Sequence, residues 1–386
     1  MPRSDDPVVS TLLWAVRETV APGRSAPRFA AIDAETWSRI LRASVDHNLL
    51  PLLDRALAGR DDVPALIRED LARGAAQNQR HNLHLTAELL AVIRRLDRAG
   101  IRAVAWKGPL LAQRAYGDVS LRSFFDLDVL VTRVDLPRAR DLLLAEGFRP
   151  EKPMTARQQE TYIDHQGELE LVRETDGLWL ELHWAVVPNY YAGARTAGDP
   201  WARLVRLALL RSSVLALAVE DDLEALCVHG SKHRWDRLLW ITDIAMLARA
   251  EPGLDWDGLL SRARANGTLR MVRLGLLLAR SMAGGPIPAR VLSEARGDRG
   301  AMTLHAEVSR ALFAPRAGRL DAFLFHARML ERGRDRARYA LSALFTPSGA
   351  DWGGATLPPA LFPLYSVARP FRLAVKYGRR FVGDAD

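Results

Sequence analysis

Two aspartates spaced by one residue, Asp126 and Asp128 in the run Phe124-Phe125-Asp126-Leu127-Asp128-Val129-Leu130-Val131, are the groups in this sequence best suited to metal chemistry. In an extended strand successive side chains point to opposite faces, so the two carboxylates share one face while Leu127, Val129 and Val131 pack on the other. Like charges this close repel one another in a half-buried setting. A divalent cation relieves that repulsion, and oxygen donors suit Mg²⁺, with Mn²⁺ as the alternative. In a two-metal site such carboxylates place ions on the attacking and leaving oxygens of a phosphoryl transfer. Taken alone, the Asp-x-Asp fragment is equally compatible with an aspartate pair at a solvated strand end. The surrounding order favours the first reading: a strand, a glycine turn, a helix, then the strand that bears the two aspartates.

A second constellation is His229-Gly-Ser-Lys232-His233-Arg234-Trp235-Asp236. On a helix His229, Lys232 and His233 share a face. The His-x3-His spacing lacks the glutamate at 230 that a metalloprotease helix carries, so zinc is disfavoured. The spacing fits a helix lining a cleft, with Lys232 on phosphates and the histidines hydrogen-bonded in support; the plain alternative is a packed helix. Asp243, further along, is a candidate partner for this basic cluster. There is no GxxxxGK[ST], GxGxxG or GxSxG motif.

The elements that must position these residues are written in the periodicity. Residues 8–99 read as helical, with Leu83, Leu89, Leu90, Ile93 and Leu96 at helical spacing and a stop at Gly100. IRAVAW (101–106) reads as a strand ending at Lys107-Gly108, followed by a helix with Pro109 at its first turn. FFDLDVLV is a second strand, followed by a helix over roughly 135–146 that stops at Gly147. GELELVRE and LWLELHW are two more strands, joined by Thr175-Asp176-Gly177, a hairpin signal. From about 200 onward the pattern is helical again, including 202–210, 221–248 and two helices across 254–282, with a break at Gly284-Gly285-Pro286. The expected organisation is therefore a helical region (1–99), a small α/β block (100–195) and a second helical region (196–386), an α+β chain.

Composition narrows the classes. Of 386 residues, 48% are hydrophobic and 26% charged, an ordinary globular balance that excludes a wholly disordered chain. The single cysteine, Cys227, excludes an internal disulfide framework or a multi-cysteine zinc site and is expected to be a buried thiol. The formal charge is +8, and its arginine-rich cations suit phosphate. The N-terminus MPRSDDPVV shows no signal-peptide pattern and no stretch is long and apolar enough to span a bilayer, so the cytoplasm is the expected location. The tail RPFRLAVKYGRRF, with Arg369, Arg372, Lys376, Arg379 and Arg380, reads as a solvated closing helix, with a peripheral membrane contact or a partner-docking segment as the alternatives.

Four stretches together carry a resemblance to a known family: WKGPLLAQRAYGDVSLRSFFDLDVLV (106–131), LWLELHW (178–184), LCVHGSKHRWDRLLWITDIAML (226–247), and the C-terminal TPSGADW with RPFRL (346–352, 369–373). The chain resembles the polymerase-β-like nucleotidyltransferase superfamily, and more closely the bacterial family described as uncharacterised nucleotidyltransferases. The resemblance covers most of the chain and implies a minimal nucleotidyltransferase core, a mixed sheet with helices, flanked by N- and C-terminal helical regions. It departs from the superfamily at the first turn, where Lys107-Gly108 replaces the usual Gly-Ser and the gap to Asp126 is longer. Lys107 is then a candidate phosphate cation, and the backbone after Gly108 opens a helix N-terminus. The superfamily also carries a third carboxylate on a later strand. Glu181, on one face with Trp179 and His183, is the candidate, and Glu170 is the competitor. Arg122, four residues before Asp126, is placed to meet a phosphate or to position the aspartate.

The implied activity is metal-dependent transfer of a nucleotidyl group from an NTP to a hydroxyl or phosphate acceptor. Asp126, Asp128 and Glu181 would hold Mg²⁺, with Glu181 as base. Lys107, Gly108, Arg122, Lys232, His229 and His233 would face the nucleotide. No RNA-binding module is visible, so a small molecule or peptide is the expected acceptor. The alternatives are a phosphotransferase using the same site and a non-catalytic nucleotide- or partner-binding protein on this fold.

Overall fold

The computed structural model describes residues 6–187, 191, 199–314, 322–347 and 363–382. The chain begins with α1 (Pro7–Val20), α2 (Ala34–Asp46), α3 (Leu50–Leu57) and the long α4 (Ala65–Arg98). The starts of α1 and α2 are set locally: Asp6 accepts a hydrogen bond from the Val8 N–H (2.9 Å) and Asp33 from the Thr36 N–H (2.7 Å). Beyond α4, Gly100 takes the left-handed conformation (φ 68°) that ends the helix where the sequence places its stop.

The sheet region follows: β1 (Ala103–Trp106), a helical turn α5 (Gly108–Leu111) running into a π-helical turn at Ala112–Tyr116, β2 (Leu127–Val131), α6 (Leu136–Ala145), β3 (Phe148–Pro150), α7 (Ala156–His165), β4 (Glu168–Arg173) and β5 (Trp179–His183). Among the described residues five strands form one sheet in the order β1-β2-β5-β4-β3. β1 pairs antiparallel with β2, β2 parallel with β5, β5 antiparallel with β4 and β4 antiparallel with β3. The β4–β5 hairpin turns at Gly177 (φ 72°), as the Asp-Gly pair predicts. The sequence pattern names neither β3 nor α7, each too short or too polar to stand out.

The alternation along β2 and β5 divides the sheet chemically. Leu127, Val129, Val131, Leu180 and Leu182 face α4 and α6, packing with Leu89, Val92, Leu96 and Leu143. The opposite face, with Trp106, Leu130 and the charged residues in register with them, packs against Leu217 and Ala225. Sequence alternation therefore determines which face is core and which carries chemistry.

One expectation fails between the sheet and the second helical region. Residues 202–210 read as helical, yet the chain forms the hairpin β6 (Val205–Leu209) and β7 (Ser212–Ala216), turning at Leu210 (φ 52°). A short apolar run fits either period. Here Ser212, Ser213 and Val214 disfavour a helix, and pairing lets Leu209, Val214 and Ala216 join the core of the sheet region.

The remainder is helical: α8 (Val219–Lys232), α9 (Leu238–Ala250), α10 (Trp256–Asn266), α11 (Leu269–Leu278), α12 (Ala289–Gly297), α13 (Arg299–Ala311), α14 (Ala322–Met329), α15 (Gly333–Phe345) and α16 (Pro363–Val382). The fold is thus α+β, a mixed sheet with helices flanked by N- and C-terminal helical regions. Those two regions share one apolar core, in which Leu12, Trp37 and Leu52 pack with Ile244, Leu276 and Phe325. Cys227 is buried in it. On α16, Leu364, Val367, Phe371 and Val375 form an exposed apolar stripe, and no described helix is long and apolar enough to cross a membrane. Residues 348–352 of the TPSGADW stretch, and the side chains of Lys376, Arg379 and Arg380, lie outside the described residues.

The turn between α8 and α9 is the tightest piece of packing. Arg234 and Trp235 both have positive φ (57° and 56°), and the Trp235 ring is fully buried against two glycines, Gly230 and Gly275. A Cβ at Gly230 would stand 2.5 Å from the ring. Gly230→Ala should therefore destabilise the protein by about 1–3 kcal/mol through overpacking, although alanine in a helix is ordinarily favoured over glycine by about 1 kcal/mol. Urea unfolding reads the sign directly.

Candidate active site

The elbow after β1 is strained. Lys107 has φ 43° and Gly108 φ 37°, conformations that turn the chain sharply from strand into α5. This throws the Lys107 side chain back over the Trp106 ring, with Nζ 4.6 Å from its centroid. Nζ lies 2.6 Å from Asp128 Oδ1 and 3.7 Å from Glu181 Oε2. Asp128 sits within β2, opposite Trp106 on one side and Glu181 on the other. Asp126 lies one residue before the strand begins, half-buried at the rim of the same cavity.

The parallel register of β2 and β5 is what joins these groups, because it sets Asp128 directly beside Glu181. Two residues on, His183 reaches the same carboxylates: Nε2 is 2.8 Å from Asp128 Oδ1 and 3.2 Å from Glu181 Oε2. Its Nδ1 is 3.6 Å from Glu168 Oε2, and Glu168 is in turn bonded to Lys232. Asp128 and His183 are each 2% exposed, so these charges meet with little water between them. Glu170 is in register with Glu181, but its carboxylate pairs with Lys152 at 3.2 Å.

The electrostatics follow from burial and neighbours. Burial first, then repulsion from Asp128 and Glu181, pushes the Asp126 carboxyl up to about 7. Burial by itself would lower the Lys107 ammonium, but Asp128, Glu181 and Asp126 hold it above its ordinary value. Burial opposes the charge on His183 as well, and its hydrogen bonds to Asp128 and Glu181 outweigh that and raise it to about 9. Burial would raise Glu181, but Lys107 and His183 hold it well below the usual carboxylate range. The cluster is thus acidic, with two internal cations standing among its oxygens.

A cavity of about 280 Å³ opens on this cluster. It is lined by Lys107, Gly108, Arg122, Asp126, Asp128, Glu181, His229 and His233, which brings together most of the residues that the sequence nominates. Arg122 reaches the wall, but its guanidinium is buried and bonded to Asp243 through Nε and Nη2 at 2.9 and 3.0 Å. Tyr116 Oη donates to the same Asp243 at 2.7 Å. Asp243 thus pairs with Arg122, and not with the 229–233 cluster. Lys232 is engaged with Glu168. His229 and His233 are held by ring contacts with Trp240, each 5.1 Å between centroids, in place of the hydrogen bonds expected of them. Burial, reinforced by Lys232 and Lys107, lowers His233 to about 4, and burial with Lys107 lowers His229 well below its ordinary value, so both are neutral near pH 7.

Several contributors escape the sequence reading. Asn82 of α4 donates to the Val119 and Arg122 carbonyls at 2.6 and 2.8 Å, clamping the loop that presents Asp126. Asn48, Arg237 and Trp240 line the cavity from the helical regions. His183 shares its face with Glu181 in the alternation of LWLELHW, and that signal was open to a fuller reading. Asp128, Glu181 and His183 each offer a ligand atom, all within 4.8 Å of one another. With Asp126 beside them, three carboxylates converge, and this oxygen-rich set fits a hard divalent cation.

Because His183 titrates near 9 in the folded protein, above its ordinary 6.5, its ion pairs stabilise the metal-free protein fully below about pH 6.5 and are lost as pH rises through 9. The stability advantage of wild type over His183→Gln, measured by urea unfolding in chelator, should therefore shrink between neutral and strongly alkaline pH.

The family model described as uncharacterised nucleotidyltransferase matches residues 33–284. No curated protein matches the chain. Among solved structures, that of the antibiotic-resistance factor ANT(2'')-Ia, determined in solution, aligns at 12% identity with a TM-score of 0.32, covering 48% of this chain and 91% of its own. That likeness is too slight to bear on fold or activity. The family match spans well over half of the sequence and includes both aspartates, Glu181 and the 229–233 cluster, and the chain belongs to the uncharacterised nucleotidyltransferase family.

Proposed function

We propose that this protein transfers a nucleotidyl group from a nucleoside triphosphate to a hydroxyl or phosphate acceptor, with release of pyrophosphate. The observation that carries the reading is the register of β2 against β5, with Asp128 beside Glu181 and Asp126 on the same cavity. Asp126, Asp128 and Glu181 would hold Mg²⁺ or Mn²⁺, which when bound supplies Lewis-acid stabilisation of the charge on the phosphoryl oxygens. Glu181 would also serve as the base that takes the acceptor's proton. Lys107 and the elbow at Gly108 face the phosphates. Arg122 and Lys232 act at one remove, Arg122 by fixing the loop against Asp243 and Lys232 by fixing Glu168 beside His183. His229 and His233 supply a neutral wall with Trp240. With no RNA-binding module visible in the sequence, a small molecule or peptide is preferred to RNA as the acceptor.

One observation favours a second reading. Lys107 and His183 already neutralise Asp128, as a non-catalytic nucleotide- or partner-binding member of the fold would require. A phosphotransferase using the same groups differs in its product. Incubation with each NTP and Mg²⁺ or Mn²⁺, with water and an added panel of small hydroxyl and phosphate compounds as the groups that can receive the transferred moiety, separates the three. The expected outcome is metal-dependent NTP binding and pyrophosphate release, both lost in Asp126→Ala/Asp128→Ala. Release of a nucleoside diphosphate instead would identify the phosphotransferase. Nucleotide binding that survives Asp126→Ala/Asp128→Ala without turnover, or no nucleotide binding in either protein, would move the assignment to the non-catalytic reading.

A further inference from the structure

A nucleoside triphosphate carries several negative charges into a cavity whose own carboxylates repel it, so the cations that meet it must be found in the wall. Three permanently cationic side chains line the cavity among the described residues: Lys107, Arg122 and Arg237. Lys107 is paired with Asp128 and Glu181, and Arg122 is paired bidentately with Asp243. The two histidines of the wall are neutral near pH 7. Arg237 differs from all of these. Among the described residues no carboxylate pairs with it, and its contact is with the Trp240 ring, 5.7 Å from guanidinium carbon to centroid.

Its backbone is nevertheless firmly held. Arg237 immediately precedes α9, whose first N–H, on Leu238, donates to His47 Nδ1 of the N-terminal helical region at 3.3 Å. Two residues earlier the fully buried Trp235 locks the turn against Gly230 and Gly275. An arginine with a fixed base, a ring beneath its guanidinium plane and no acidic partner keeps its forked N–H donors available for an anion. Little is lost when the anion arrives, because the side chain is already oriented.

We infer that Arg237 is a polyphosphate-binding residue of this site, contributed to the cavity wall by the C-terminal helical region. The inference rests on the nucleotidyltransferase reading and names the group that recognises the part of the substrate released as pyrophosphate. It also gives a reason for a helical region to close against the sheet: the cations of the sheet region, Lys107 and His183, are paired with its carboxylates, and the helices supply a cation that is not.

The test is calorimetric titration of wild type, Arg237→Gln and Arg237→Lys with ATP, CTP, GTP and UTP and with the matching monophosphates, in Mg²⁺. With the triphosphate that binds best, Arg237→Gln should lose about ten- to a hundredfold in affinity. Monophosphate affinity should change less than about twofold, and Arg237→Lys should fall between, keeping charge but not the fork. A general packing defect would lower both affinities together, so the triphosphate-to-monophosphate ratio isolates the proposed contact. An unchanged ratio in Arg237→Gln, with wild type still binding triphosphate, overturns the assignment of Arg237 and leaves the nucleotidyltransferase reading standing. Absence of triphosphate binding by folded wild type overturns both.

Discussion

Three carboxylates forced into one half-buried cavity repel each other, and the site exists because two cations of the same chain stand between them. At about 4 Å a like-charge pair costs on the order of 4 kcal/mol in a protein-surface dielectric, a large fraction of a domain's total stability. Lys107 at 2.6 Å and His183 at 2.8 Å from the same oxygen of Asp128 reverse that sign. The strained elbow at Lys107 follows from this requirement, since a positive φ at a non-glycine residue persists only where surrounding contacts outweigh its cost. The same two cations keep Glu181 ionised, while burial, with repulsion from Asp128 and Glu181, pushes Asp126 up to about 7.

Several contacts from outside the sheet hold that arrangement in place. Asn82 on α4 ties down the loop before β2, and the Tyr116–Asp243–Arg122 cluster pins the same loop to α9. Glu168 and Lys232 back His183 from behind, linking β4 to the end of α8. His47 and Trp235 fix the start of α9. The helical regions share a core with each other, and the C-terminal one touches the charged face of the sheet, so the cavity lies where sheet and helices meet.

The parts of this picture legible in the sequence are those written locally. The alternation along β2 orients Asp128, the alternation WLELHW orients Glu181, and Asp-Gly writes the β4–β5 turn; Asp126, expected on the strand face, falls one residue before β2. What depends on long-range pairing was not legible. No local signal says that β2 pairs in parallel with β5, which is what sets Asp128 beside Glu181. No spacing rule says that Arg122 closes on Asp243, 121 residues away, or that Lys232 closes on Glu168, 64 residues away. The hairpin at 205–216 is not legible either, because a short apolar run carries too few residues to separate a period of two from one of 3.6. Arg237 was passed over for a complementary reason: its distinction is the absence of a partner, which only the folded arrangement reveals.

The central claim is that this carboxylate cluster is a divalent-cation site. Titration of the purified protein with Mn²⁺, followed by electron paramagnetic resonance with and without nucleoside triphosphate, tests it directly. The account predicts saturable binding that nucleotide strengthens and that Asp128→Asn abolishes. Saturable binding that survives Asp128→Asn, or none in the wild type under either condition, would contradict it.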